Sequence, residues 1–462
     1  MIFKTINYMK RLFLVMAVGI IATSVFAQKA NQEMKYRRSS LYTIMVPSDK
    51  LTGEAKDIVT STFDTLSIPD KYNDHNLQIR SIDLTEINVS EEEIQAAEKI
   101  ANGQKKGIGG LAKKGLGALK KSVVSSETAG MSDDEKIAKI MKFFKEQHIA
   151  NQIIGKWYNE GKTKKDNSFF NTLLIEDRGL FGASQEELNK YKGVIGGKNK
   201  IMDAAEKDLI PRTFVMVTAY AYLSSEEIAE MANAAGQVAG GAIGAVTQAA
   251  SAAASLALKG YFVHTTSYLF QLEWNEEIML NFYDKYWSAD NTNEFDNDDS
   301  YKLTYIGKTS CYAPATMKLT FKDDASQRLI SRATARATDK CIAQLQKKYE
   351  QFKTLSVLNV SDDGETMYAY IGKKEGVKDG DKFEALEQIQ DAEGNITFKS
   401  VGTIKVAKGK VWDNRVGAGE VIEGEASGDD DNDAGKGLTY TIFDGKPNKA
   451  MAEGGLWLRQ VK

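Results

Sequence analysis

The sequence predicts an α+β protein: a mixed or antiparallel sheet body with helices, followed by a small all-β, barrel-like C-terminal domain. Three observations carry that expectation. Thr213–Leu223 (TFVMVTAYAYL) and Tyr261–Trp274 (YFVHTTSYLFQLEW) are rich in β-branched and aromatic residues, which fit a pleated, half-buried surface. Leu329, Ile330, Ala333, Ala337, Cys341, Ile342, Leu345 and Phe352 recur with a helical period, and Asp324 is placed to cap that helix. Beyond Leu355 short alternating runs are separated by turn signals, Asp362-Asp363-Gly364, Asp379-Gly380-Asp381 and Glu393-Gly394-Asn395. That is the spacing of a small barrel or sandwich.

The remaining elements follow in chain order. Ser40–Val46 reads as a strand ended by Pro47, and Glu54–Leu66 as a helix through Ile58, Val59, Phe63 and Leu66. Arg80–Val89 alternates like a short strand. Ser90 with Glu93, and Ser184 with Glu187, are capping boxes. Ser132 opens a helix expected to run to Asn151, with Trp157 and Tyr158 closing the helical region. Phe169–Ile175 reads as a strand, Ala204–Lys207 as helix stopped by Pro211, and Asn275 as the start of a short helix to Tyr283–Trp287. Lys302–Ile306 and Thr316–Phe321 suggest a hairpin around Pro314. Candidate strands of the last quarter are Thr366–Ile371, Asp381–Gln388, Thr397–Lys405 and Leu438–Phe443. Domain limits follow as a body over 28–353 and a C-terminal unit over 355–462.

Composition excludes several classes. The 462 residues hold 60 Lys and Arg against 63 Asp and Glu, a net charge of −3, which argues against a nucleic-acid partner. Two Cys and three His are too few for a Cys/His zinc module or an iron–sulfur protein. Residues 1–27 have the form of a secretory signal. Lys4, Lys10 and Arg11 precede the uncharged Leu12–Phe26, and Val25-Phe26-Ala27 ends it with small or branched residues at the cleavage positions. The apolar run falls short of the ~20 residues of a spanning helix, so export to the periplasm, outer membrane or exterior is expected. An oxidising compartment allows Cys311 and Cys341 to pair and fasten a helix to a sheet. Two separate buried thiols are the alternative.

Two segments have unusual texture. Lys99–Lys121 contains seven Lys, six Gly and no acid. Ile108, Leu111, Ala112 and Leu119 project to one side of a helix, and lysines including Lys106, Lys113 and Lys120 to the other. A helix on an anionic membrane surface has this pattern, and so has a solvated basic loop, which the Gly content favours. Met231–Leu258 is a run of 28 residues without charge, with Gly236, Gly240 and Gly244 four apart. Such a stripe permits close helix packing, as a packed insertion, a mobile loop, or an assembly or membrane-inserting element. Residues 416–435 hold seven acids and no base, the composition of a disordered loop or hinge.

Three motifs carry a resemblance: Tyr36-Arg37-Arg38-Ser39-Ser40-Leu41-Tyr42; Leu174-Ile175-Glu176-Asp177-Arg178-Gly179 with Ile210-Pro211-Arg212-Thr213-Phe214-Val215; and Gly260-Tyr261-Phe262-Val263 with Tyr268-Leu269-Phe270. Together they resemble a group of exported Bacteroidota proteins of unestablished role. Ile371–Asp381 (IGKKEGVKDGD) is similar to the entry turn of small β-barrels in bacterial envelope assembly proteins, including flagellar ring proteins.

Catalytic motifs are not legible. His75, His148 and His264 share no motif, and neither Gly-x-Ser-x-Gly nor His-Glu-x-x-His occurs. The Gly-rich tract Gly103–Gly117 lacks the closing Lys-Ser/Thr of a phosphate loop. Asp429, Asp431 and Asp433 alternate as in a calcium loop, but Ala434 and Tyr440 occupy the positions that need Gly and Glu. Glu176-Asp177-Arg178 reads as a strand-end ion pair more readily than as a carboxylate site. The expectation is therefore an exported binding or assembly protein without catalytic residues, cofactor or metal. Its expected partner is a protein or a second copy, with a membrane surface as a further option. Rival readings are an exported hydrolase whose carboxylates meet only in the fold, and a membrane-active protein using 103–121 and 231–258.

Overall fold

The computed structural model describes residues 39–47, 51, 53–66, 72–74, 77–105, 130–158, 170–182, 205–224, 260–287, 293–316, 323–390, 396–420 and 437–461. Outside them lie the signal segment, His75, the lysines 106, 113 and 120, and the capping box at Ser184. The stripe Gly236, Gly240 and Gly244 and the aspartates 429, 431 and 433 lie outside them too.

The body is built on a five-stranded mixed sheet. Strand β1 (Ser39–Val46) is buried at every position. It is followed by α1 (Gly53–Thr65), which buries Ile58, Val59 and Phe63, and by β2 (Tyr72–Asp74). The Arg80–Val89 run forms only a single bridge, Ser81 to Met45, not a strand. Arg80 itself is a clamp. Its guanidinium donates to Thr43 O (3.1 Å), Thr43 Oγ1 (3.2 Å) and Phe63 O (3.0 Å) and lies 4.7 Å over the Phe63 ring.

Helix α2 (Glu91–Lys105) begins at the expected capping box, with Ser90 N–H on Glu93 Oε2 (2.7 Å) and Glu93 N–H on Ser90 Oγ (3.2 Å). In α3 (Asp133–Glu146), Ser132 caps the start by accepting from Glu135 N–H. The helix expected to reach Asn151 breaks after Glu146, where His148 adopts φ 46°, and resumes as α4 (Ile149–Tyr158). The Phe169–Ile175 run is expected as a strand, but its described residues, 170–175, form none. Asn171 Oδ1 accepts from Leu173 N–H (3.2 Å) as the chain enters α5 (Leu173–Gly182). Phe170 packs edge-on against Phe282 and Phe295, so an aromatic contact takes the place of a ladder.

Strands β3 (Thr213–Ser224) and β4 (Gly260–Leu272) pair antiparallel over most of their length, as their composition predicts. Asn275 caps α6 (Glu276–Tyr286), and a short α7 (Asn293–Asp296) follows. Instead of a hairpin at Pro314, one strand, β5 (Leu303–Thr316), runs through it. Among the described residues β5 is an edge strand, the kind of strand in which proline is tolerated. The sheet order is β2-β1-β3-β4-β5. β1 is parallel to both its neighbours, and the other pairs are antiparallel.

Both faces of this sheet are covered, which explains why β1 reads as a continuous apolar run. On one face Tyr42, Ile44, Val215, Val217, Tyr268 and Phe270 join α3, α4 and α6 through Ile140, Phe144, Ile153, Trp157 and Phe282. On the other, Met45, Tyr220 and Val263 meet α1 and α8 (Asp323–Lys348), and Leu41, Phe214, Met216 and Leu269 meet the end of α8 with Tyr349 and Phe352. Cys341 of α8 and Cys311 of β5 both face this layer, but no bridge joins them. Both are buried free thiols, and Cys341 Sγ–H is directed at Thr265 O (3.5 Å), whose residue lies opposite Cys311 in the ladder. They pack as small hydrophobes.

After Leu355 the chain forms β6 (Ser356–Val357), β7 (Asn359–Val360), β8 (Met367–Ala369), β9 (Lys382–Gln390), β10 (Ile396–Lys405), β11 (Thr441–Phe443), α9 (Lys449–Glu453) and β12 (Trp457–Gln460). Two antiparallel sheets, β10-β9-β12-β6 and β11-β8-β7, share a core of Leu358, Met367, Phe383, Ile404, Val406, Phe443 and Leu458. The barrel-like closure expected from the sequence is absent. Neither sheet closes among the described residues, because four of the strands span only two or three residues and single bridges, not ladders, join the sheets. The fold is α+β.

Candidate functional site

Helix α8 serves both parts of the molecule. Its inner stripe packs on the body sheet, and its outer face receives the C-terminal unit. Arg336 donates to Val416 O (3.0 Å), and Lys347 donates to Gly376 O (2.7 Å). Close approach depends on two glycines. Gly376 has φ +70°, and a Cβ there would stand 3.1 Å from the Ala343 methyl on α8. At Gly372 a Cβ would stand 2.2 Å from Trp412 O, so this turn excludes any side chain. The turn is held by Glu375 Oε2, which accepts from Gly372 N–H (2.7 Å) and Asn414 Nδ2–H (2.7 Å). The Ile371–Asp381 segment thus forms a turn that leads into β9.

Where the last turn of α8 meets this entry turn and the sheet, a pocket of about 330 Å³ opens. Gln346 and Lys347 line it from α8, and Lys353, Thr354 and Ser356 from the connection into β6. Glu375, Asp381 and the apolar Ile371, Val377 and Phe383 contribute from the turn and β9, and Leu458, Gln460 and Val461 from the chain's last strand. The register explains one wall. Ser356 lies opposite Leu458, Leu458 opposite Ala385, and Gln460 opposite Phe383, so these side chains share one sheet face.

The polar groups of the pocket are unevenly engaged. Asp381 Oδ2 accepts from Lys378 N–H (3.0 Å) and Gln460 Nε2–H (2.7 Å). Lys347 makes its bond to Gly376 O and lies 3.9 Å from Asp381. Burial pushes its pKa down, against the raising pull of Asp381. Lys353 pairs with the exposed Glu350 at 2.8 Å. Ser356 is 7% exposed.

Residues singled out from sequence lie elsewhere. Glu176 and Asp177 are on α5, not at a strand end. The neighbouring Arg178 stacks 4.3 Å over Trp157 and donates to Ser40 Oγ (3.2 Å), a packing role. His264 is buried within β4, and His148 Nδ1 is 3.8 Å from Asp299. The carboxyls of Asp83, Glu93, Asp298, Asp363 and Asp413 all titrate below the ordinary range. At Asp413 burial alone would raise the value, but hydrogen bonds and charges from Arg415 and Lys373 overcome it. A general acid at neutral pH needs the opposite direction. No group of three or more His, Cys, Asp or Glu among the described residues is placed to hold a metal ion.

Nothing in the sequence signals that these residues share a pocket. Ile371, Glu375, Val377 and Asp381 belonged to a motif named from the sequence, but not as a site. Lys347, Ser356 and Gln460 are unremarkable in sequence, because the pocket exists only where three distant segments meet. The fold and this pocket define an α+β protein with a ligand-sized cleft between a helix-backed mixed sheet and a small two-sheet unit. The chain matches no family model, and no curated protein matches it.

Proposed function

We propose that this chain is an exported, non-catalytic binding protein of the cell envelope and that it binds through the seam pocket. The observation that carries the reading is the cleft of about 330 Å³ lined by both α8 and the C-terminal unit, within the size range of ligand sites. Its mixture of apolar walls and a few convergent polar groups suits holding a ligand in place. The secretory form of residues 1–27 supports the location. A protein partner, or a second copy of the chain, is the macromolecule it engages.

The test is crosslinking of the intact chain in native envelopes, followed by capture and identification of what is attached. A reproducible partner, lost when Ser356→Trp fills the cleft, supports the proposal. Recovery of the uncrosslinked monomer alone, or of uncleaved precursor in the cytosol, removes it.

A further inference from the structure

We infer that the seam pocket receives the side chain of a lysine presented by the partner protein, with its ammonium against Glu375. The inference rests on the reading of the cleft as a binding site and adds the chemistry of what enters it.

The charged donors of the lining are committed, and its acids are not. Lys347 is held by Gly376 O (2.7 Å) and lies 3.9 Å from Asp381 Oδ2. Lys353 is paired with Glu350 at 2.8 Å. Gln346 Nε2–H goes to Thr354 Oγ1 (3.0 Å) and Gln460 Nε2–H to Asp381 Oδ2 (2.7 Å). Each acid uses only one oxygen. Glu375 Oε2 accepts from Gly372 N–H and Asn414 Nδ2–H, and Asp381 Oδ2 from Lys378 N–H and Gln460. Among the described residues Glu375 Oε1 and Asp381 Oδ1 accept no hydrogen bond, and Glu375 is in no ion pair.

Charge follows the same count. Glu350 offsets Lys353 and Asp381 offsets Lys347, which leaves the Glu375 carboxylate unbalanced at a half-buried position of the cleft. A carboxylate withdrawn from bulk water attracts a cation more strongly than an exposed one does. The occupant that meets both counts donates hydrogen bonds and carries positive charge.

Form and size choose among such occupants. Ile371, Val377, Phe383 and Leu458 supply apolar walls, which the methylene stem of a lysine covers while its charged head stays on the polar groups. A guanidinium fork matches two open oxygens of one carboxylate, but Glu375 and Asp381 offer one each, which suits the compact ammonium. The cleft of about 330 Å³ is at the small end of ligand sites, the scale of a single long side chain. A free alkyl diamine presents the same chemistry as a protein lysine.

The experiment uses the full mature chain and three probes: N-acetyl-lysine N-methylamide, its Nε-acetylated form and the arginine analogue. Binding is read by titration calorimetry and ligand-observed NMR. The lysine probe should bind at least about tenfold more tightly than the acetylated form, which lacks the charge, and more tightly than the arginine probe. Glu375→Gln keeps an acceptor for the turn and removes the charge, so it should abolish the preference for lysine over acetyl-lysine. Asp381→Asn should weaken lysine binding severalfold, and Glu387→Gln, at an exposed position of β9, should change nothing. Zero-length carbodiimide coupling in native envelopes, which joins carboxylate to amine, separates the two sources. A partner lysine joined to the peptide carrying Glu375 or Asp381 supports the inference, and a free diamine joined there overturns it. So does equal affinity for lysine and acetyl-lysine, arginine binding as tight as lysine, an intact preference in Glu375→Gln, or no binding of the lysine probe at about 10 mM. If any of these occurs while Ser356→Trp still abolishes envelope crosslinks, only the lysine assignment falls. If Ser356→Trp leaves the crosslinks intact, the binding role of the cleft falls with it.

Discussion

Gly372→Ala tests the argument that the C-terminal unit is built around a glycine-dependent turn. The added Cβ would lie 2.2 Å from Trp412 O and 2.5 Å from Asn414 Oδ1. Both are far inside the ~3.5 Å of an unstrained contact. Neither group can yield freely. Trp412 O accepts from Lys373 N–H (2.9 Å), and Asn414 bonds Lys374 N–H (2.8 Å) and Glu375 (2.7 Å). Overpacking of this kind costs about 1–3 kcal/mol, and each displaced hydrogen bond about 1 kcal/mol more, for a total of about 3–5 kcal/mol. That is a large share of the ~5–15 kcal/mol that stabilises a typical domain. Urea denaturation followed by tryptophan fluorescence measures it, with Trp412 and Trp457 reporting on this unit. Gly103→Ala is the matched control. It lies within α2 with nothing within 4 Å of the new methyl, and should stabilise by up to about 1 kcal/mol. A loss below about 1 kcal/mol for Gly372→Ala, with unchanged m value, would refute the reasoning.

Three further outcomes are expected. Arg80→Met frees Thr43 O and Phe63 O together and should cost about 2–4 kcal/mol in thermal or urea unfolding, and Arg80→Lys should not restore it, because one ammonium cannot span both carbonyls. Asp413 has a depressed folded-state pKa, so its contribution is complete above the unfolded value near ~3.9 and is lost as pH falls below it. Stability of Asp413→Asn should accordingly be lower at neutral pH and change less on acidification, and parallel losses in variant and wild type would contradict the assignment. With Cys311 and Cys341 buried and unbridged, the reduced and desalted protein should give no reaction with an aromatic disulfide reagent when native and two thiols in urea; prompt native labelling would show the α8 layer to be open.

Much of the body was legible because its signals are local. Ser90, Ser132 and Asn275 cap helices as their side chains predict, since a hydroxyl or amide two or three residues from an orphan N–H needs no distant partner. The pairing of β3 with β4 was legible from composition alone. Failures arose where a distant partner overrode local preference. Phe170 was drawn out of a strand by Phe282 and Phe295, and Pro314 was kept inside one because β5 has a free edge. Cys341 was legible as helical, but Cys311, read as following a strand-like run, lies inside β5, and the direction of the Cys341 thiol toward Thr265 O has no sequence signal.

The candidate site was the least legible part. Sequence drew attention to Gly- and Lys-rich runs and to Glu176-Asp177-Arg178. The described structure instead joins the Ile371–Asp381 turn to Lys347, Ser356 and Gln460, which are ordinary members of a helix, an edge strand and a final strand.

By itself, the order of residues determined the capped helices and the two long central strands, the α+β class, and the sharp turn at Gly372–Gly380. Those outcomes depend on backbone preference and periodicity within a dozen residues. Only the tertiary structure decided that the two C-terminal sheets stay open among the described residues, that the thiols remain apart, and that a helix end and a two-sheet unit enclose a cleft. Each of these depends on which surfaces bury one another, a balance of contacts between distant residues, Gln346 and Val461 of the cleft among them, that no local pattern encodes.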